Sequence, residues 1–201
     1  MEHSLRLATP ADSAALLAIY GPYVRDTAIS FETEIPTVED FAKRIADIAA
    51  RYPYLVYQVG DEVAGYAYAG QHRSRAAYAW DVDVSIYVAP AYQGTGVAQK
   101  LYDCLFALLT KLGYVNAYAA YTSDNGRSGR FHQKCGFGLI GTHHKTGYKF
   151  GRWYDVTWLE KSLPNNGDGY DSNPPVIVSI QDLPPAALAQ LLAGVDKKTQ
   201  I

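Results

Sequence analysis

Two spacings of apolar residues alternate along the chain, and the sharpest switch between them falls between Asp83 and Leu112. Ser85 to Ala89 read as a strand, Pro90 stops it, and Gln93 to Gly96 form a glycine-punctuated turn. Val97, Ala98, Leu101, Leu105, Leu108 and Leu112 then follow the helical period. Around this strand, turn and helix the pattern predicts nine further elements. Leu5 to Ala8 is a first strand, and Thr9-Pro-Ala-Asp12 caps a helix with the stripe Ala15, Leu16, Ile19 and Tyr20. Tyr23 to Ile35 reads as irregular, and Thr37 to Asp40 as a capping box opening a helix through Phe41, Ile45 and Ile48. Tyr54 to Val59 and Val63 to Ala69 make a hairpin around Gly60-Asp61; after a polar loop over 70–75, Tyr78 to Val88 is a long central strand. Strands at Asn116 to Tyr121, Leu139 to Tyr148 and Asp155 to Leu163, with a short helix at Gly126 to Lys134, complete the set.

That order, β, α, α, β, β, β, α, β, α, β, β, predicts an α/β (α+β) fold, a mixed central sheet with helices on both faces. The main domain spans 1–163. From Pro164 to Pro175 the composition is that of a linker, followed by a short strand at Val176 to Ile180 and an amphipathic helix at Leu183 to Leu192. This 164–201 extension is expected to pack on the core, reach across a dimer or stay mobile; the sequence does not choose.

A chain of 201 residues with 48% hydrophobic content buries a sizeable core, about 70% of its unfolded surface. The formal charge of -2 with scattered basic residues argues against nucleic acid. Cys104 and Cys135 have neither disulfide-scaffold nor zinc spacing and read as small core residues. His143 and His144 are neighbours on a strand and point to opposite faces, so a metal site is not expected. Met1-Glu-His-Ser is polar, and the apolar helix from Val97 to Leu112 is short and carries Gln99, Lys100 and Asp103. A soluble cytoplasmic protein with no membrane partner is the expectation.

The glycine turn supplies the first candidate chemistry. Helix-opening amides lack internal partners and sit at the positive end of the macrodipole, so Gln93, Gly94, Thr95, Gly96, Val97 and Ala98 suit a phosphate or pyrophosphate. A dinucleotide fingerprint fails because Gln99 stands where its third glycine belongs, and the Gly-Lys-Ser/Thr of a triphosphate loop is absent. Gln93-x-x-Gly96-x-Ala98 resembles the pyrophosphate loop of the GCN5-related N-acetyltransferases. Ser30-Phe-Glu32, Arg73-x-Arg75-x-x-Tyr78-x-Trp80, Ile86-Tyr-Val88, Arg130-Phe-His132 with Gly136-Phe137, and Gly147 to Asp155 resemble the phosphinothricin and methionine sulfone acetyltransferase group. The resemblance spans about Leu5 to Leu163.

It implies an enzyme that uses acetyl-CoA, with no metal, to acetylate the α-amine of a small amino-acid-like acceptor. The alternatives are an acetyltransferase for another amine (polyamine, antibiotic or protein amino terminus) and a non-catalytic acyl-CoA-binding domain. An ammonium must lose its proton before it attacks a thioester. Asp83 matches the family's acidic general base, usually Glu, and acts directly, through water, or by orienting the amine. His132 stands where many relatives place a Tyr that protonates the leaving thiolate, and serves as acid or second base. Backbone of Ile86, Tyr87 and Val88 would pair with pantetheine amides, with an amide near Val88 polarising the thioester. Asn125 would bond the cofactor or cap its helix; Arg127 and Arg130 would reach phosphates or adenine, or stay solvated. Phe31, Glu32, Arg73, Arg75, Tyr78, Tyr148 and Lys149 would hold the acceptor, the cations taking its carboxylate and sulfone or phosphinate oxygens. Members commonly form homodimers, and the 17 tyrosines offer contact surface.

Overall fold

The computed structural model describes residues 2–166 and 172–197; part of the predicted linker lies outside the described residues. Seven strands form one sheet in the order β1-β2-β3-β4-β5-β7-β6. They are β1 (His3–Leu7), β2 (Tyr54–Val59), β3 (Glu62–Gln71), β4 (Asp81–Val88), β5 (Asn116–Thr122), β6 (Gly138–Lys149) and β7 (Arg152–Ser162). The helices are α1 (Ser13–Asp26), α2 (Val38–Ala49), α3 (Val97–Lys111), α4 (Gly126–Lys134) and α5 (Pro185–Lys197).

Side-chain alternation sorts the sheet into two faces. Val82 and Val84 of β4, Ala117 and Ala119 of β5 and Leu159 of β7 join a core with Leu101, Leu105 and Leu108 of α3. On the other face α1 and α2 cover a second core built on Tyr54, Val56 and Tyr66, with Leu16, Val24, Phe41 and Ile45. Asp83, Ser85 and Tyr87 alternate toward that second face.

β4 and β5 are parallel, and their pairing runs only from Asp81↔Asn116 to Asp83↔Tyr118. Beyond Asp83 the two strands part, although β4 continues to Val88 and β5 to Thr122. Asp83 stands at the apex of that opening, and the edge of β4 from Val84 to Val88 has no ladder partner on the β5 side.

Three elements differ from expectation. α1 continues to Asp26 across Pro22, so part of the segment read as irregular is helical. A proline removes one helical hydrogen bond, and here burial of Tyr20, Gly21 and Val24 against the sheet outweighs it. The central strand begins at Asp81, because Ala76–Tyr78 form a 3-10 turn. Val176 to Ile180 form no strand: the segment runs along the core through Val178 N–H to Leu112 O and Ile180 N–H to Arg51 O. Ile180 and Leu183 are buried in the α3 core, so the described part of the extension packs on the domain.

Candidate active site

The turn into α3 has the conformation the glycines permit. Gly94 and Gly96 have φ of 81° and 91°, the left-handed region in which a side chain is strained. The first helical hydrogen bond past the turn is Lys100 N–H to Gly96 O, which leaves the preceding helix-opening amides of Val97, Ala98 and Gln99 without helical acceptors. Thr95 Oγ1 donates to Tyr92 O at 2.6 Å and fixes the loop from within. Arg127 of α4 reaches across to Gln93 Oε1 at 2.8 Å, while Arg130 is exposed along its own helix beside Gly126. Of the two cations, Arg127 is therefore the one held at the loop. Asn125 caps α4, its Oδ1 accepting from Ser128 N–H. Gln93 in turn donates to the Tyr23 hydroxyl, which donates to Val88 O at 2.9 Å. This chain ties the loop, the parted end of β4 and α1 together.

Ile86 and Val88 turn their side chains to the α3 core, and Tyr87 sits among Tyr20, Tyr23 and Tyr66 at 5.0–5.4 Å. Their backbone, not their side chains, lines the opening beside β5.

At the apex, Asp83 Oδ1 lies 2.7 Å from His72 Nδ1. Burial pushes the Asp83 carboxyl above its usual range, opposed by the His72 hydrogen bond and by the Arg73 charge. His72 stacks on Tyr118 at 4.2 Å with planes 18° apart, and meets the edge of Trp158. The Trp158 indole N–H is buried with no acceptor among the described residues. Sequence reasoning passed over His72. Its position is set by β3 and β4, whose register places Gly70 opposite Asp83, so the residue two further on shares the Asp83 face.

Arg73 and Arg75 occupy the exposed loop beside this face; the Arg73 guanidinium lies over the Tyr78 ring at 5.5 Å. Phe31 packs against Gly147, where a Cβ would lie 2.0 Å from its ring, and near Tyr154. Glu32 pairs with Arg44 at 2.8 Å, a cation the sequence did not single out.

Two expected site residues are placed elsewhere. Lys149 is buried, and its ammonium donates to Val24 O, Thr27 O and Ser30 O at 2.6–2.9 Å. All three donors are used on the end of α1, so Lys149 ties the α1 exit to β6 and has no proton left for an anion. His132 is only 4% exposed. Nδ1 lies 2.8 Å from Ser128 O and Nε2 2.9 Å from the Tyr102 hydroxyl, on the α3 side of the sheet, opposite to the face that carries Asp83. With both nitrogens engaged and burial lowering its pKa, His132 is a neutral core residue in this arrangement, and no proton donor for a leaving thiolate stands there. His144 pairs with Asp155, and His143 lies near the Trp158 ring. Among the described residues no helix is long and apolar enough to cross a membrane.

A parted parallel strand pair, a glycine loop opening the next helix and a carboxylate at the apex define the class. The chain belongs to the acetyltransferase (GNAT) domain family, whose sequence model matches residues 5–158. It is similar to the phosphinothricin N-acetyltransferase of Streptomyces coelicolor, 36% identical over 166 residues covering 81% of this chain and 97% of the relative. It is likewise 36% identical to the L-methionine sulfoximine/L-methionine sulfone acetyltransferase of Salmonella typhimurium, over 80% of this chain and 94% of that one. A phosphinothricin acetyltransferase from Sinorhizobium meliloti, solved in complex with AcCoA, superposes with a TM-score of 0.79 at 33% identity, over 87% of this chain and 94% of the other.

Proposed function

We propose that the protein transfers the acetyl group of acetyl-CoA to the α-amine of a small anionic amino acid of the phosphinothricin or methionine sulfone type. The observation that carries this reading is the Asp83 carboxylate at the apex of the β4–β5 opening, with unpaired helix-opening amides at one end and arginines on the acceptor face. The names of the two enzyme relatives supply the acceptor class.

The residues fit acetyl-CoA. The Gly94–Gly96 turn and the first amides of α3 would hold its pyrophosphate, Arg127 would add a cation there, and the free edge of Val84 to Val88 would take the pantetheine amides. Bound there, acetyl-CoA supplies an activated thioester. Asp83 marks the point at which the acceptor amine gives up its proton, and burial pushes its carboxyl above the usual range. Arg73 and Arg75 bind the acceptor carboxylate or its phosphinate or sulfone oxygens, Tyr78 and Phe31 border it, and Glu32 fixes Arg44. The acceptor amine is thereby left facing the thioester. A homodimer would cover the apolar side chains exposed on the β6–β7 hairpin, Leu139, Ile140, Tyr148, Phe150 and Trp153.

Thiol release from acetyl-CoA, measured with phosphinothricin, methionine sulfone, methionine sulfoximine, spermidine and a peptide as separate acceptors, tests the reading. Release with the amino-acid analogues alone is expected. Release only with spermidine or peptide would overturn the acceptor class, and CoA binding without any release would overturn the enzymatic reading for these amines.

A further inference from the structure

His72 is built into the Asp83 apex more firmly than a loop residue requires. Its ring stacks on Tyr118 of β5 and meets the edge of Trp158 of β7, its Nδ1 is spent on Asp83, and its side chain is 11% exposed against 40% for that of Asp83. An ionised carboxylate only accepts hydrogen bonds, so Nδ1 carries the proton of this 2.7 Å contact and Nε2 holds a lone pair. Among the described residues no hydrogen bond is made to Nε2.

Resting on the acetyl-transfer reading above, we propose that His72 is the proton acceptor of the reaction, with Asp83 as the partner that orients it and holds its charge. As the acceptor nitrogen forms its bond to the acetyl carbon and the carbon–sulfur bond breaks, the N–H proton passes to Nε2. The electron pair of the C–S bond leaves on the CoA sulfur, which is protonated from solvent, and the imidazolium returns its proton to water. The imidazole bonded to Asp83 carries a basic nitrogen beyond the reach of the short carboxylate itself. An imidazole also has two nitrogens, so one can hold the Asp83 contact while the other takes and returns a proton. The charged and titratable groups around the pair are Arg73 on the same loop, the Tyr68 phenol on β3, Asp81 on β4, the Tyr118 phenol on β5 and Glu160 beside it on β7. Arg73 favours the Asp83 carboxylate and Asp81 opposes it.

His72→Asn separates a proton carrier from a brace, because the Asn amide can still donate to Asp83 but cannot accept a proton. The expected result is a fall in kcat of about 10²-fold, with the acid limb of the pH profile moved to lower pH as a carboxylate takes over, and acetyl-CoA affinity unchanged. Activity within about threefold of wild type with an unmoved limb would overturn the proposal and leave His72 a positioning residue. Long-range ¹H–¹⁵N spectra of the wild-type imidazole give a readout that needs no turnover. Protonated Nδ1 with bare Nε2 is expected, and the opposite tautomer would overturn the proposal. If the wild type acetylates none of the acceptors, the acetyl-transfer reading fails, and the tautomer still decides whether the pair is built as described.

Discussion

At the residue scale, burial decides which charged groups can do chemistry. In a linear reading Lys149 is a ligand for an anion, because a cation beside Tyr148 offers donors to a carboxylate or sulfone oxygen. Its partners lie 119–125 residues earlier in the chain, at the end of α1, and no local pattern announces such a contact. Replacing Lys149 by Met should cost about 2–4 kcal/mol, since it strands buried carbonyls and removes charge-assisted bonds. A urea titration measures it; unchanged stability with a raised acceptor KM would instead make Lys149 a substrate ligand. His132 carries a second expectation. Its folded pKa lies below the usual histidine value, so the unfolded chain binds the extra proton first. The associated stability is complete above the ordinary histidine pKa of about 6.5 and is lost as pH falls from there through the depressed folded value. The fall in Tm on going from neutral to mildly acidic pH should flatten in His132→Gln, and an unchanged slope would show that other groups govern it.

Elements position the site through a few local rules that were readable in advance. The switch from strand to helical spacing at Pro90 to Val97, with two glycines in it, located the α3 turn, because only glycine accepts φ near 90° cheaply. Asp83 was legible as the acidic residue just upstream on the same strand. What could not be read was pairing across the sheet: His72 meets Asp83 through the β3–β4 register, and the gap between β4 and β5 exists because their ladder stops at Asp83↔Tyr118. Pro22 misled the reading of α1, since propensity ends a helix that burial continues. Gly96→Ala should strain the turn by about 1–2 kcal/mol and weaken acetyl-CoA binding several-fold while leaving kcat at saturation nearly intact. Isothermal titration beside steady-state kinetics checks this; a loss confined to kcat would contradict the loop's assignment. Arg127→Ala, which frees Gln93, should raise the acetyl-CoA KM in the same assays, and no change would remove Arg127 from the cofactor end.

On the scale of the whole molecule, both faces of the sheet carry a hydrophobic core, and they differ in which polar groups they hold. The α3 face is apolar and holds His132, Tyr102 and both cysteines, whose thiols burial pushes up to about 12 for Cys104 and about 11 for Cys135. The opposite face carries Asp83, His72 and the arginines. The extension, left open by sequence, belongs to the first face. Gly113 has φ of 90°, and a Cβ there would lie 2.3 Å from Val176 O, so the chain runs directly over it, and the Trp80 indole donates to Pro175 O. Ending the chain at Leu163 would expose what Ile180 and Leu183 cover, forfeiting up to about 3–6 kcal/mol of burial from those two side chains alone, and would also remove the packing of Leu188 and Leu191. A Tm lowered by many degrees is expected, and a melt matching the full chain would mean that the extension adds nothing to the fold.

The most direct test of the account is acetyl transfer to methionine sulfone in a single turnover, comparing wild type with Asp83→Asn while acetyl-CoA affinity is measured on the same samples. The account predicts thiol release matched by acetylated amine in the wild type, an unchanged Kd in the variant, and transfer slowed by about 10²–10⁴-fold. Equal transfer rates in the two proteins would contradict it and move the chemistry away from the apex of the β4–β5 opening.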